Sequence, residues 1–383
     1  MAVKIEGTCD PKFSRVKDAF AENFEKRSEV GAAAAVVLDG KSVVDIWGGY
    51  ADKAATRPWT RDTLVNVYST TKGVTAICAH RLVDKGLLDI DAPVAKYWPE
   101  FAQAGKDKLP VRFLLSHRAG LPAVRKILDG DALFNWTTMA NALAEQEPWW
   151  EPGTAHGYHA VTFGWLVGEV IRRITGKTPG VYLRDEITGP LGLDFHIGLD
   201  AKDDARVGGL IPSPPPGPGE PNIFAEAMKN PESVVAKAFM NPPLMGKPGL
   251  VNSREWRAAE IPAANGHGTA RSLARLYGAL ARGGELALVL GALRPTAARD
   301  ARDDGEEHEH GGERRGERHG PIWAAPPPDA VGLATTGHAC RVDVQDTLRP
   351  RRTSCGPKGG RAVLPPAGCP CRGPSRRSCA RAS

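Results

Sequence analysis

The chain has 383 residues, 42% of them hydrophobic and 25% charged, so it can bury a large core and is not a low-complexity sequence. Its formal net charge is only +6, carried mostly by the last hundred residues, and gives no argument for a specific nucleic-acid partner. No stretch approaches the roughly 20 apolar residues of a membrane span. Cys9 and Cys78 are too few for a disulfide framework in the first 339 residues.

The opening residues, "MAVKIEGTCDPKFSRVKDAF", hold no apolar run of signal-peptide length and no small-residue cleavage site, so the expected location is the cytoplasm. Phe13, Val16, Phe20 and Phe24 recur at helical spacing and predict an amphipathic helix over residues 11–28. Two β-rich runs, "AAAVVL" and "SVVDIWGG", then flank Asp39-Gly40, the pattern of a hairpin with a tight turn. "TTKGVTAICAHRLVDKGLL" predicts a helix up to Gly86, and "VRFLLSHRAGL" a helix stopped at Gly120. "YHAVTFGWLVGEVIRRITGK" predicts a strongly apolar helix ending at Gly176. The prolines of "IPSPPPGPGEPN", residues 211–222, lack donors and predict a loop. "GTARSLARLYGALARGG" places Leu273, Leu276, Tyr277 and Leu280 on one helix face.

Near residue 288 the character of the chain changes. No Phe, Tyr, Asn or Met follows, Lys358 is the only lysine, and arginine is abundant. Proline and glycine are dense, and five of the seven cysteines lie here. No period of 2.0 or 3.6 survives, so residues 288–383 read as a poorly ordered tail. Either a native disordered tail or a reading-frame error in a GC-rich gene accounts for this. The composition favours the second, because GC-rich codons in a wrong frame yield Arg, Ala, Gly and Pro and little Lys, Asn, Phe or Tyr.

The chemistry concentrates at Ser69-Thr70-Thr71-Lys72. A serine hydroxyl needs a base, and a lysine serves if desolvation lowers its pKa. Positions i and i+3 share a helix face, which puts the Lys72 amine beside the Ser69 hydroxyl. The helix N-terminus favours developing negative charge, and the Ser69 backbone N–H is a candidate oxyanion donor. The competing reading is a plain helix cap, for which serine is a common choice. A proton relay is also needed. Tyr158, after a Pro-Gly turn and at the mouth of the predicted helix, suits that role; a half-buried aromatic with a polar tip is its bland alternative.

Four segments together carry a family resemblance: "VYSTTKG" at 67–73, "LLSHRAGLP" at 114–122, "WEPGTAHGYHAVTFGWLVGEVIRRITG" at 150–176 and "NGHGTARSLARLYGAL" at 265–280. In order and rough spacing the chain resembles serine hydrolases of the class C β-lactamase fold, most closely the family VIII carboxylesterases, over residues 12 to 287. The resemblance implies an α/β (α+β) fold: an antiparallel sheet flanked by helices, beside a second, mostly helical domain, with the site between them. On that reading residues 1–68 begin the α/β domain and 69–287 form the helical domain. The resemblance also implies Ser69 as acylated nucleophile, Lys72 as general base and Tyr158 as the proton-transfer tyrosine of the second motif.

Two departures matter. β-Lactamases of this fold carry Y-x-N where this chain has Tyr158-His159-Ala160, which leans toward ester substrates. The third motif, K-T-G, or H-x-G or W-x-G in the esterases, is not found; His310-Gly311-Gly312 fits the letters, but "GEEHEHGGERRGERHG" is no buried strand. No G-x-S-x-G occurs, so an α/β-hydrolase elbow is excluded.

His267 is expected in a loop before a helix, either near the cleft as a substrate-binding group or in a turn. His117 is expected to hydrogen-bond near a helix end. His308, His310, His319, Cys369 and Cys371 match no tetrahedral metal site. The expectation is therefore a serine carboxylesterase acting on a short-chain ester, with no metal or organic cofactor. The alternatives are a β-lactamase or D-alanyl-D-alanine peptidase, and an inactive hydrolase-like binding scaffold. Oligomeric state is not legible.

Overall fold

The structure is a computed structural model that describes residues 3–212, 217, 223–243, 249–283 and 332–336. Most of the segment read as a tail lies outside these residues. So do His310-Gly311-Gly312, the histidines and cysteines near it, and most of the proline-rich loop.

The chain opens with β1 (Ile5–Cys9), then α1 (Ser14–Lys26), β2 (Gly31–Leu38) and β3 (Lys41–Gly49). β3 lies between β1 and β2, antiparallel to both. The hairpin turn is Asp39-Gly40, both at positive φ (50° and 76°), which matches the right-handed twist of the strands it joins. Gly332–Thr336 pairs antiparallel with the other edge of β2, so five residues of the tail segment form a strand that sequence reading did not anticipate.

Both faces of this sheet are covered. Phe20 of α1 packs with Ala32, Ala34, Val36, Val44 and Ile46 on one side. Ala35 and Val37 meet Ala270 and Ala274 of a late helix (Ala270–Leu280, the last in the described chain) on the other. Burial on both faces explains why β2 reads as a continuous apolar run rather than an alternating one. Burying a side chain such as Phe20 contributes roughly 2 kcal/mol.

The middle of the chain is helical: α2 (Thr70–Asp84), α3 (Val111–Leu115), α4 (Trp136–Glu145), α5 (Thr162–Thr175), α6 (Pro179–Leu183), α7 (Ile223–Lys229), α8 (Val234–Met240), α9 (Arg254–Ala258) and α10, the late helix just named. These helices enclose the largest apolar cluster, in which Val74 and Cys78 of α2 and Leu166 and Val170 of α5 are fully buried. Leu273 and Leu276 of α10 join it, so α10 faces the sheet with alanines and the helical core with leucines. Arg271 adds a two-pronged ion pair to Asp45 of β3, at 2.7 and 3.0 Å. No helix among the described residues is long and apolar enough to cross a membrane.

The architecture agrees with the α+β expectation. Three local expectations change. The helix after Pro110 ends at Leu115 rather than running to Gly120, because His117 takes φ 60° and turns the chain. α5 begins at Thr162 rather than at Tyr158: residues 157–161 precede it as non-helical chain, in which Gly157 and His159 donate their backbone N–H groups to His117. His267 lies on a strand. Val65–Asn66 (β4), Phe195–His196 (β5) and His267–Gly268 (β6) form a short antiparallel sheet in the order β4-β6-β5, and its two-residue strands are too short to leave a period in the sequence.

Candidate active site

β4 delivers the chain to Tyr68, whose φ of 42° is rare for a residue with a side chain. This bend points the next residue, Ser69, to the surface at the head of α2. The bend is held from β6: Val67 N–H donates to Gly266 O at 2.9 Å, and Gly266 N–H donates to Thr71 Oγ1 at 2.9 Å.

Ser69 occupies the N-cap position of α2, but its hydroxyl makes no capping bond. The first-turn amides are satisfied by the backbone instead, with Thr71 N–H on Tyr68 O and Lys72 N–H on Ser69 O. The Ser69 hydroxyl is therefore left for other work. Tyr158 OH donates to Ser69 Oγ at 2.7 Å, and Lys72 Nζ lies 3.2 Å from the same oxygen. Lys72 Nζ also sits 4.8 Å from the centre of the Tyr158 ring. Three residues proposed from the sequence thus meet at one atom.

Lys72 is only 7% exposed, and burial lowers its pKa to about 7. Its amine donates to Ala160 O at 2.7 Å and Ala263 O at 2.9 Å. These two carbonyls fix its geometry. A neutral amine has two N–H groups to give, so with both directed at the carbonyls its lone pair faces Ser69. That is the arrangement of a general base near neutral pH. The Ser69 backbone N–H has no hydrogen-bond partner among the described residues, as an oxyanion donor requires.

Tyr158 sits in a non-helical segment and is 46% exposed. Its surroundings are rich in histidine. The His117 ring meets the Tyr158 ring edge-on, 5.0 Å between centres. His159 is fully buried, accepts from Leu121 N–H at Nε2 (3.0 Å) and faces Gly157 O with Nδ1 at 2.6 Å. Its proton is therefore on Nδ1. Burial pushes His117 and His159 down to about 4, with the positive charge of Lys72 adding to it in both, so neither ring is charged near neutral pH. No group of three or more His, Cys, Asp or Glu side chains able to hold a metal occurs among the described residues.

His267 makes no hydrogen bond with Ser69, Lys72 or Tyr158. It is fully buried on β6, opposite Asn66 and His196, and its Nδ1 is 2.7 Å from Asn265 O. Its Nε2 has no partner among the described residues, and burial lowers its pKa to about 4. The groups that sequence reading missed are the carbonyls of Ala160 and Ala263. Backbone acceptors leave no side-chain signature, and no pattern in the sequence would have found them.

The chain is 41% identical over 289 residues to "Esterase/beta-lactamase LipL" of Mycobacterium tuberculosis, covering 74% of this chain and 66% of that protein. It is 30% identical over 197 residues to "Esterase EstB" of Burkholderia gladioli, covering 47% of this chain and 50% of that one. The chain thus spans between half and two thirds of the length of these curated relatives. Among solved structures, a family VIII carboxylesterase aligns with TM-score 0.66 and 44% identity, over 74% of this chain and 73% of the other. A penicillin-binding protein homologue from Caulobacter crescentus aligns with TM-score 0.65 and 43% identity, with the same coverage. The beta-lactamase family profile matches residues 16–338, and the chain belongs to the beta-lactamase family.

Proposed function

We propose that the chain is a serine carboxylesterase that hydrolyses short-chain esters through an acyl-enzyme on Ser69. The observation that carries this reading is the convergence of Lys72 Nζ and Tyr158 OH on Ser69 Oγ, at 3.2 and 2.7 Å, with the Lys72 pKa lowered to about 7. Ser69 Oγ attacks the ester carbonyl as its proton passes to Lys72 Nζ. The Ser69 backbone N–H donates to the developing oxyanion. The C–O bond to the alcohol breaks, and Tyr158 OH hands a proton to the departing oxygen, restored from Lys72. Water then attacks the acyl-enzyme along the same relay, releasing the acid and returning the proton to Ser69.

Ala160 supports esters over β-lactams. β-Lactamases of this fold place an asparagine there, whereas here the position gives only its carbonyl to Lys72. The test sets hydrolysis of a p-nitrophenyl ester beside that of a chromogenic cephalosporin, with fluorophosphonate labelling of the full chain. Ester turnover with labelling lost in Ser69→Ala is the expected result. Preferential cephalosporin turnover would move the assignment to a β-lactamase or D-alanyl peptidase. An intact chain that neither turns over ester nor takes the label would make it a binding scaffold.

A further inference from the structure

Tyr158 must hold its hydroxyl on Ser69 while standing in a segment with no helix or strand of its own and nearly half exposed to water. Side-chain packing on such a residue is one-sided, so its position depends on the backbone that carries it. Leu121 N–H holds the His159 ring and Lys72 holds the Ala160 carbonyl, but the backbone N–H groups on either side of Tyr158 both go to one residue. His117 accepts the Gly157 N–H at its carbonyl oxygen (3.2 Å) and the His159 N–H at its ring Nδ1 (3.2 Å). The two neighbours of Tyr158 are thus fixed by the same side chain and main chain, 42 residues away from His159 in sequence. The ring of His117 then braces the Tyr158 ring at 5.0 Å.

We propose that His117 is a positioning residue, a clamp that grips the backbone on both sides of Tyr158 and so keeps the Tyr158 hydroxyl on Ser69. The inference rests on the reading of Tyr158 as the proton relay. It explains why a histidine stands here. The position needs φ of 60°, which His, Asn and Asp adopt more readily than other non-glycine residues. It also needs an acceptor one bond beyond Cγ, where the imidazole carries Nδ1. A ring that stays neutral near pH 7, through burial, keeps that lone pair free for His159 N–H.

These requirements separate two replacements of similar polarity. His117→Asn tolerates the same backbone and puts Oδ1 where Nδ1 was. His117→Gln carries its acceptor one atom further out and disfavours positive φ. Full-length variants are assayed with a p-nitrophenyl ester, alone and in a Tyr158→Phe background, with thermal unfolding as a folding control. The expected result is kcat lowered on the order of 10- to 100-fold in His117→Gln with KM little changed, and kcat within a few-fold of the parent in His117→Asn. In the Tyr158→Phe background, His117→Gln should cost almost nothing further, because the clamp acts only through the tyrosine. Should His117→Gln not fold, His117→Gly keeps the backbone, lacks the acceptor and carries the same expectation.

Equal losses in the Asn and Gln variants overturn the clamp, as does an undiminished Gln loss without Tyr158's hydroxyl. Full activity in His117→Gln beside a slow Tyr158→Phe overturns the clamp alone. Full activity in Tyr158→Phe overturns the relay reading first, and the clamp with it.

Discussion

Lys72→Met probes the base and the fold at once. Burial lowers Lys72 from 10.5 to about 7. An unfolded chain keeps this lysine protonated up to about 10.5, so the folded state binds fewer protons between the two values. The resulting cost in stability is fully present below pH 7 and fades as pH rises toward 10.5. At 1.36 kcal/mol per pKa unit, a gap of about 3.5 units amounts to roughly 5 kcal/mol at low pH. Integrated over pH 6 to 9, wild type recovers about 2.5 kcal/mol of it. The methionine does not titrate, and the other titrating groups are common to both proteins. The stability of Lys72→Met minus that of wild type should therefore fall by about 2.5 kcal/mol between pH 6 and 9. A fixed offset remains, because methionine leaves Ala160 O and Ala263 O without a donor, at roughly 1–3 kcal/mol each. Urea unfolding of both proteins at pH 6, 7, 8 and 9 measures the difference. The variant should lack ester turnover, while wild-type kcat/KM should rise through a pKa near 7 to a plateau. A stability difference constant with pH would refute the argument, since Lys72 would then titrate alike folded and unfolded.

Three further outcomes follow from other parts of the molecule. Glu169 is buried on α5 and accepts from Trp136 Nε1, Arg172 and Arg173, each at 2.7 Å. Glu169→Ala should lower stability by about 2–4 kcal/mol in denaturant titration, because it strands those donors. Burial alone would raise the Glu169 pKa, but hydrogen bonds from Arg172, Trp136 and Arg173 outweigh it and hold it below the usual range. Its contribution is therefore present near neutral pH and fades on acidification, which the same titration repeated at low pH reads. Gly73 follows Lys72 on α2, and a Cβ there would lie 1.9 Å from Tyr277 Oη. Gly73→Ala should push Tyr277 aside and cost about 1–3 kcal/mol despite alanine's better helix propensity, as a melting-temperature comparison would register. Resequencing the 3′ end of the gene should reveal a shifted frame near residue 288; an unchanged frame would leave the Arg-rich segment native.

Much was legible in the sequence where a side chain carries the signal. The spacing of Phe13, Val16, Phe20 and Phe24 announces α1, Asp39-Gly40 announces the hairpin, and Ser69 with Lys72 announces a shared helix face. What stayed hidden depends on contacts between distant segments. β4, β5 and β6 are two residues each, too short for any period, and exist because the 65–66 and 195–196 segments each pair with the 267–268 segment. The capping and nucleophile readings of Ser69 could not be separated in one dimension, because both place serine before a helix. Tertiary structure removes the capping bond and leaves the nucleophile reading as the proposal: the backbone satisfies the first turn of α2, while Tyr158, 89 residues away, reaches the hydroxyl. Likewise, a lysine in a sequence carries its ordinary pKa. Only burial beside the carbonyls of Ala160 and Ala263 lowers Lys72 to about 7, as the proposed base requires, because desolvation is a property of packing and not of residue type.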